Sequence, residues 1–511
     1  MSNSRIKATI KNSGVAVGGQ LANTVLSFIS RTVFIYTLGK SYLGVHGLFS
    51  NILTVLSLAE LGIGDAITYK LYKPLAEGNQ DTVRKYLTFY KNAYVYIGFF
   101  VFLVGAALIP VLPFIMKDPG DLQNVRLIYM LYLFDTSSTY FFAHKKLILN
   151  ADQKNYIITI NRYIFLALRT ALQITVLLLF KNFILYLVLQ IVVNFAENVA
   201  VAIQSNKMYP YARKRGEKLD STEKKAVFKQ VSALLMHKIG GVCVSGTDNI
   251  LISSFVGVSW VGLYSNYTTI LTIPMGLLAH VFSPLTATVG NLISTSGKEH
   301  IVKTFNKLFL VNFWLYGFSA IALFVLIDPF ISQVWLDESY LLSKAILFFI
   351  VLNFYLNGMR QVVTNFKYAS GLFWEDRFRP LAESFVNLAM SIILLKHYGF
   401  IGVIIGTTIA TLTTTFWLEA VIVYRKVLKL NPKVFFIRYV AYLLIAGIIG
   451  TLTYFACAAI PWHGLIGFIV KAMVCTLMVN LGFFIAFYRT EAFKSLRDQL
   501  LAGIFRKGGR V

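Results

Sequence analysis

Charged residues are scarce in this sequence. They make up 14% of its 511 residues, whereas 57% are hydrophobic. A soluble domain of this size needs far more polar surface, so the composition excludes a soluble globular protein. The apolar residues also fall into runs of roughly 20, the length that crosses about 30 Å of hydrocarbon. The sequence therefore predicts an all-α multi-pass membrane protein with about fourteen transmembrane helices.

The chain also lacks the motifs of metal, redox and nucleotide chemistry. Its three cysteines lie within apolar runs and have neither metal-ligand spacing nor the pattern of a disulfide framework. No GxxxxGK[ST] phosphate-binding loop is present, and no polar segment is long enough to form a soluble catalytic domain. The first apolar stretch is too long for a cleavable signal peptide. We therefore expect no cofactor, no metal and no enzyme activity.

Acidic residues are fewer than basic ones: the sequence has 23 Asp and Glu but 48 Lys and Arg. When the predicted spans are followed in order, nearly all basic residues fall on one side of the membrane. This bias predicts a protein of the cell membrane with both termini on the cytoplasmic side. Such a topology requires an even number of spans. Because topology and anionic lipids explain the basic excess, no nucleic-acid partner is indicated. The basic residues on the outer side are Lys40, Lys117, Arg126, Lys181, Lys344 and Lys396.

The spacing of the spans predicts two six-helix lobes around a central cavity, followed by two extra C-terminal helices. A long basic connector near the middle of the chain separates the predicted lobes. The predicted divisions are an N-terminal lobe at 1–204, a basic cytoplasmic linker at 205–230, a C-terminal lobe at 231–428, two further spans at 429–487 and a basic cytoplasmic tail at 488–511.

A weak internal repeat supports the two lobes. GLFSN at 47–51 aligns with GLYSN at 262–266, and the preceding Gly39 then corresponds to Gly257. Both segments lie at outward turns, so the halves have the same orientation, as in transporters built from parallel repeats around a membrane-normal axis. The alternative is that aromatic and glycine turns look alike by chance.

Three arginines are placed where charge is costly. Arg169 lies midway along the fifth predicted span, and Arg31 lies near the outer end of the first. A charge at such depth costs at least about 2.5–3.5 kcal/mol, so these residues are candidates for function. Arg162 precedes Arg169 by two helical turns and shares its face. The alternatives are that Arg162 and Arg31 reach the headgroups, or that the arginines form structural ion pairs with Asp248.

Several other residues are candidates for ion coupling, counter-charge or movement. Asp248 lies within the seventh span, and Glu60 and Asp65 flank a glycine pair near the inner end of the second. Solvation at the membrane surface explains Glu60 and Asp65 equally well. Pro274, in the eighth span, frees a backbone carbonyl and is a candidate hinge.

A guanidinium stays charged in a low-dielectric site and binds phosphate through two parallel hydrogen bonds. Arginines opposed by few acids therefore favour an anionic, phosphorylated substrate. A hydrophobic cation would instead need an acidic and aromatic cavity.

Four segments carry a family resemblance: LGKSYLGVHGLFSNILTVLSLAELGIGDAITYKLYKPLAEGN (38–79), TDNILISSFVG (247–257), GLYSNYTTIL (262–271) and GLFWEDRFRPLAESFVNLAMSIILLKHYGFIGVIIGTT (371–408). They resemble the Gram-positive polysaccharide-repeat-unit flippases, the Wzx-type members of the multidrug/oligosaccharidyl-lipid/polysaccharide exporter superfamily. The resemblance implies two six-helix lobes with two added helices and a cationic cavity, which Arg31 and Arg169 match in type. It also implies flipping of undecaprenyl-diphosphate-linked oligosaccharides to the outer leaflet for capsule or exopolysaccharide assembly.

The expected partners are the lipid-linked oligosaccharide, membrane lipids, and a polysaccharide polymerase with its chain-length machinery. Two alternatives within transport stay open, a teichoic acid precursor exporter and a cation-coupled drug antiporter of the same superfamily. An alternative of another class is a membrane glycan polymerase. Such enzymes need a sizeable outer loop, and the longest one predicted here, around 328–341, is short.

Overall fold

The structure is a computed structural model that describes residues 3–60, 62–117, 122–372 and 374–508. Its described part is all-α. The first helices are α1 (Asn3–Leu56), α2 (Ile63–Ala76), α3 (Gln80–Ala107), α4 (Leu112–Ile115), α5 (Val125–Tyr140), α6 (Ala143–Ala151), α7 (Asn155–Phe180), α8 (Phe183–Met208) and α9 (Ser221–Phe255). Short 3₁₀ turns cover Ser57–Glu60, Ile109–Val111 and Pro210–Arg213.

The second half of the chain continues with longer apolar helices and three π-helical turns. The helices are α10 (Val258–Phe282), α11 (Leu285–Thr295), α12 (Lys298–Phe330), α13 (Lys344–Met359), α14 (Gln361–Ala369), α15 (Arg379–Tyr398), α16 (Phe400–Ala410), α17 (Phe416–Val423), α18 (Lys433–Ala458), α19 (Gly464–Phe487) and α20 (Glu491–Gly508). The π turns are Ile331–Trp335, Thr411–Thr415 and Tyr424–Leu428, and Glu338–Tyr340 is a 3₁₀ turn.

By length and composition, eight stretches of the described chain can cross a membrane. The remaining predicted spans also fall on helices, namely α1, which holds two of them, α5, α9, α10 and α15. The chain is thus a multi-pass, all-α membrane protein. The eight stretches are Gln80–Ile115, Asn155–Phe180, Phe183–Met208, Lys298–Trp335, Lys344–Ala369, Phe400–Leu428, Lys433–Ala458 and Gly464–Phe487.

Glycines interrupt the first helices where the sequence predicted continuous spans. Within α1, Gly39 adopts φ 82° and ψ −177°, which separates the first two predicted spans. The second of these, predicted at 43–66, is α-helical only to Leu56. Gly62 then takes a left-handed φ of 89° before α2, a conformation that glycine adopts without steric cost. The α-helix therefore does not run through the whole predicted second span, because Gly62 interrupts it.

Two other predicted boundaries also shift. Helix α10 ends at Phe282, and a new helix starts after Pro284, so the predicted span at 260–292 consists of two helices. Helix α9 begins at Ser221, where Asp220 and Glu223 form a reciprocal capping box. The non-helical part of the predicted linker at 205–230 is therefore shorter than its sequence indicated.

The chain forms two compact units, unit 1 (Met1–Ser265) and unit 2 (Asn266–Val511). Unit 1 contains a core cluster rich in tyrosine, including Tyr86, Tyr90, Tyr94, Tyr140 and Tyr209. The core of unit 2 is rich in phenylalanine, with Phe305, Phe309, Phe313, Phe366, Phe435 and Phe483 fully buried. The division into lobes at 204 and 231 stays a prediction.

Within unit 1, two helical segments begin directly after Gly39 and Gly257. The first turns of these two segments pack against each other. A Cβ on Gly44 would lie 2.0 Å from the Val258 carbonyl oxygen, and a Cβ on Gly262 would lie 2.3 Å from the Lys40 carbonyl oxygen. Between them, the Ser41 and Ser259 hydroxyl oxygens are 3.3 Å apart. Such mutual contacts are typical of a two-fold interface. They match the predicted equivalence of Gly39 and Gly257.

Candidate functional site

Helices α7 and α8 form a tight antiparallel hairpin that positions the deepest arginine. The turn is closed by Lys181, in a left-handed conformation with φ 49°, and by Asn182, whose side chain accepts a hydrogen bond from the Leu185 amide at 3.0 Å. Arg169 lies near the middle of α7. The hairpin therefore holds Arg169 against the side of α8 that packs on α7.

A polar seam runs along that hairpin. Arg169 donates from Nη1 to the Asn194 side-chain oxygen at 3.0 Å, and Gln173 donates to the Gln190 side-chain oxygen at 3.4 Å. Near the other end, the side chains of Asn161 and Gln204 exchange two hydrogen bonds. Polar groups at membrane depth need such partners because no water satisfies them there.

Asp135 on α5 is the acidic member of this seam. It accepts hydrogen bonds from Asn194 Nδ2 at 3.0 Å and from Gln190 Nε2 at 2.8 Å, and it is buried. Asn194 thus bridges a carboxylate and the Arg169 guanidinium with its two ends. Among the described residues, no carboxylate lies within ion-pair distance of Arg169 itself. Asp135 screens the arginine without neutralising it directly.

The structure brings Arg31 and Arg169 into one neighbourhood. The charges of both arginines act on the Tyr186 hydroxyl and on the His46 ring. Arg31 is half-buried and donates from Nη2 to the Ser265 hydroxyl at 2.6 Å. We call Arg31, His46, Asp135, Arg169, Tyr186, Gln190 and Asn194 the arginine cluster. Its named charged members are the two guanidiniums and the Asp135 carboxylate.

Arg162 lies elsewhere. It is exposed on α7, and its charge acts on Lys146, which lies 3.8 Å from Glu197. Arg162 therefore belongs to a mixed-charge region away from the arginine cluster, although it shares the α7 face with Arg169. Its predicted role in binding stays a prediction.

Asp248 is buried in unit 1, and among the described residues its Oδ1 has no hydrogen-bond donor. Its charge acts on Tyr264, next to the serine that Arg31 contacts. No ion pair of the described chain joins Asp248 to Arg31 or Arg169. The predicted role of Asp248 in counter-charge or ion coupling stays a prediction.

Glu60 and Asp65 face a group of tyrosines at the break between α1 and α2. Both charges act on Tyr90, and Glu60 also acts on Tyr94 and Tyr140. Gly64 permits this approach, since a Cβ there would lie 3.3 Å from the Tyr90 hydroxyl. The two acids thus share one site, and their predicted role in coupling stays a prediction.

Pro274 lies inside α10, which continues as a helix on both sides of it. The ring removes one backbone hydrogen-bond donor from the helix. A hinge at this position stays a prediction.

Unit 2 contains a buried group of charges that the sequence reasoning missed as a unit. Its member Glu419 is only 1% exposed. The Lys367 ammonium contacts Asp376 and lies 2.7 Å from Glu419 Oε1. Arg360 Nη2 lies 3.1 Å from Glu419 Oε2.

Arg379 completes this ion-pair network. Its Nε lies 3.1 Å from Asp376 and its Nη1 lies 3.0 Å from Glu383. Three basic and three acidic side chains therefore neutralise one another in the interior of unit 2. The ion-pair network consists of Arg360, Lys367, Asp376, Arg379, Glu383 and Glu419.

No protein-family model matches the chain, and no curated protein sequence does. Solved structures do resemble it. The lipid II flippase MurJ in an inward closed conformation matches with a TM-score of 0.66 at 14% identity, over 93% of this chain and 98% of MurJ.

Two drug transporters resemble the chain less closely. An inward-facing multidrug resistance MATE family transporter of the MOP superfamily matches with a TM-score of 0.58 at 11% identity, over 78% of this chain and 94% of the transporter. The MATE multidrug transporter DinF-BH matches with a TM-score of 0.57 at 16% identity, over 83% of this chain and 97% of that transporter.

These likenesses show the fold. The chain has the same fold as these three solved proteins, and that fold implies about 12–14 membrane-spanning helices. The predicted all-α, multi-pass fold is confirmed, and membership of the exporter superfamily stays a prediction. The resemblance to polysaccharide flippases in particular stays a prediction.

Proposed function

We propose that this chain is a flippase that moves undecaprenyl-diphosphate-linked oligosaccharide repeat units from the inner to the outer leaflet, for capsular or exopolysaccharide biosynthesis. In this proposal two lobes alternate between inward-open and outward-open states around the substrate. Both termini lie on the cytoplasmic side of the cell membrane. A polysaccharide polymerase and its chain-length machinery receive the product.

The observation that carries this proposal is the arginine cluster. The charges of Arg31 and Arg169 act on the same two side chains, and the two arginines donate hydrogen bonds to a hydroxyl and an amide oxygen. A diphosphate offers oxygens that receive parallel hydrogen bonds from guanidinium groups. The two guanidiniums of the cluster suit an anionic headgroup, and Arg162 contacts the diphosphate as the lipid moves along α7.

The likeness to MurJ supports a lipid-linked substrate, because that protein is a lipid II flippase. At 14% identity the likeness supports a lipid-linked substrate as a class and does not identify the glycan that the lipid carries. Asp248, Glu60 and Asp65 are the proposed sites of ion coupling. Pro274 is the proposed hinge between the two states.

A cation-coupled drug antiporter is the second candidate, and the likeness to MATE transporters favours it. The arginine cluster argues against it, since two guanidiniums repel a cationic drug. A teichoic acid precursor exporter has the same phosphate chemistry as the first proposal and differs from it only in the glycan. A membrane glycan polymerase is disfavoured by the transporter fold.

Liposomes containing the full-length protein and a labelled lipid-diphosphate oligosaccharide test the proposal. We expect the label to become accessible to an impermeant reagent outside the vesicle only when the protein is present. Export of a cationic dye without movement of the lipid would support the antiporter and overturn the flippase. In cells, loss of a flippase leaves complete repeat units on the cytoplasmic leaflet, whereas loss of a polymerase leaves them outside.

A further inference from the structure

A second basic site lies in unit 1, apart from the arginine cluster. It is a pocket of about 230 Å³ between α3, α6 and the segment that connects α8 to α9. We call it the connector pocket. Its lining includes six basic side chains, Lys91, His144, Lys145, Arg213, Lys214 and Arg215.

The connector is fixed against α3 and α6 at both of its ends. At one end, the buried Tyr209 donates its hydroxyl to Asp152. At the other end, the Gly216 amide donates to the Thr88 hydroxyl at 2.8 Å. A Cβ on Gly216 would lie 2.4 Å from the carbonyl carbon of Arg84, so only glycine permits this approach. The three consecutive cations between these anchors are therefore held towards α3 and α6.

The positive charges of the pocket repel one another. Lys145 donates to the Asn206 side-chain oxygen at 2.7 Å, and burial together with the charges of Lys91 and Arg213 lowers the pKa of its ammonium. Burial and the charges of Lys145 and Lys91 also lower the pKa of His144 to about 4. Within the described part of the chain, no carboxylate lines this pocket or pairs with its lysines and arginines. An anion between them would relieve that repulsion.

The surroundings of the pocket point to a lipid. Asn92, at the pocket, shares one face of α3 with Tyr96, Phe99 and Leu103, which follow at helical spacing. These three apolar side chains are 75%, 56% and 66% exposed. A phosphate in the pocket would thus have an exposed apolar stripe beside it, which suits acyl chains. Basic pockets between transmembrane helices are typical headgroup sites.

We propose that the connector pocket binds the phosphate group of an anionic membrane lipid, with its acyl chains along the apolar stripe of α3. Lys91, Arg213 and Arg215 hold the phosphate, and His144 and Lys145 form the floor. The bound lipid ties the connector to α3 and α6. This site is independent of the proposed substrate site, because it involves none of the residues of the arginine cluster.

Native mass spectrometry of the full-length protein in detergent micelles tests this proposal. The probes are phosphatidylglycerol and phosphatidylcholine with identical acyl chains, and inorganic pyrophosphate. The test variant is K91Q/R213Q/R215Q, in which all three replaced side chains are exposed and lie outside the packed core. The matched control, K207Q/K218Q/K224Q, removes three exposed cations of the same unit outside the pocket.

We expect the protein to retain phosphatidylglycerol at least about tenfold more tightly than phosphatidylcholine, and the test variant to lose this preference. The control variant should keep it. Equal retention of the two lipids, or an unchanged preference in the test variant, would overturn the proposal. Pyrophosphate that binds as tightly as phosphatidylglycerol and displaces it would assign the pocket to a soluble phosphate instead. Equal unfolding temperatures of the two variants exclude misfolding as the cause.

Discussion

The two units of this protein hold half-buried arginines in different ways. In unit 2, Arg360 and Arg379 lie directly against carboxylates, and the ion-pair network has no net charge. In unit 1, Arg31 and Arg169 are held by a hydroxyl and an amide, and the nearest acid of the seam acts through Asn194. Directly paired cations serve the architecture, whereas a cation held by a neutral amide, as Arg169 is, keeps its attraction for an anion.

The ion-pair network should give the largest effect of any single substitution. Lys367→Met removes a side chain that is 1% exposed and leaves two buried carboxylates without its charge. Removing one partner of a buried ion pair costs about 3–5 kcal/mol. We expect a large loss of folded protein, measured as the unfolding temperature and the amount in the membrane. Unchanged stability would show that the network is not structural.

Lys426→Met is the control for that substitution. Lys426 pairs with Glu375 at 2.8 Å, but its side chain is 53% exposed. Exposed ion pairs contribute little to stability, so the same chemical change should leave the unfolding temperature nearly unaltered. The difference between the two variants isolates the effect of burial.

The arginine cluster should give the next largest effect, on export rather than on stability. Arg169→Ala removes a guanidinium from the proposed diphosphate site. We expect export to fall at least about tenfold, because a charge-assisted bidentate hydrogen bond is lost. The amount of protein in the membrane should stay normal, since no direct ion pair is broken. Arg126→Gln, an exposed arginine of the same unit, serves as the control. Normal export by Arg169→Ala would remove this residue from the mechanism.

Substitution of Asp135 should strengthen binding of the diphosphate, whereas substitution of Arg169 should weaken it. Asp135→Asn removes the negative charge that screens Arg169 and keeps a side chain of the same size. We expect the lipid-linked diphosphate to bind roughly twofold to fivefold more tightly, because the cluster becomes more positive. The dissociation constant of the purified protein measures this effect. Weaker binding would mean that Asp135 positions the arginine through Asn194 rather than screening its charge.

Substitution of Arg162 should give the smallest effect on export. It tests how far the substrate site extends along α7. It shares the α7 face with Arg169 but is exposed near Lys146 and Glu197. We expect Arg162→Gln to lower export by only about twofold, because an exposed cation contributes less to binding of the diphosphate than one within the cluster. An effect as large as that of Arg169→Ala would extend the substrate site along α7.

Sequence reasoning predicted an all-α, multi-pass fold because apolar runs and the alternation of basic loops can be read from the order of residues along the chain. It located Arg31 and Arg169, since a charge within an apolar run is visible without coordinates. Asp135 was just as visible in the fourth span and was missed. Its partners carried a further signal, because Gln190 and Asn194 are one helical turn apart, as are Arg169 and Gln173.

The ion-pair network could not be predicted in the same way. Lys367 and Glu419 are far apart in the sequence, and each looks like an ordinary charge near a membrane surface. Only the packing of α14, α15 and α17 brings them together. The break at Gly62 was likewise ambiguous, since glycine is compatible with both close packing and local unwinding. Long-range pairing of charges therefore needed coordinates.

The central claim is that the arginine cluster binds the diphosphate, and a binding cycle tests it most directly. The affinity of the purified wild-type protein and of Arg169→Gln is measured for an undecaprenyl-diphosphate-linked oligosaccharide and for the same glycolipid without phosphate. Our account predicts that the substitution weakens binding of the diphosphate at least about tenfold and leaves binding of the phosphate-free lipid unchanged. Equal losses for both ligands, or no loss for the diphosphate, would contradict it.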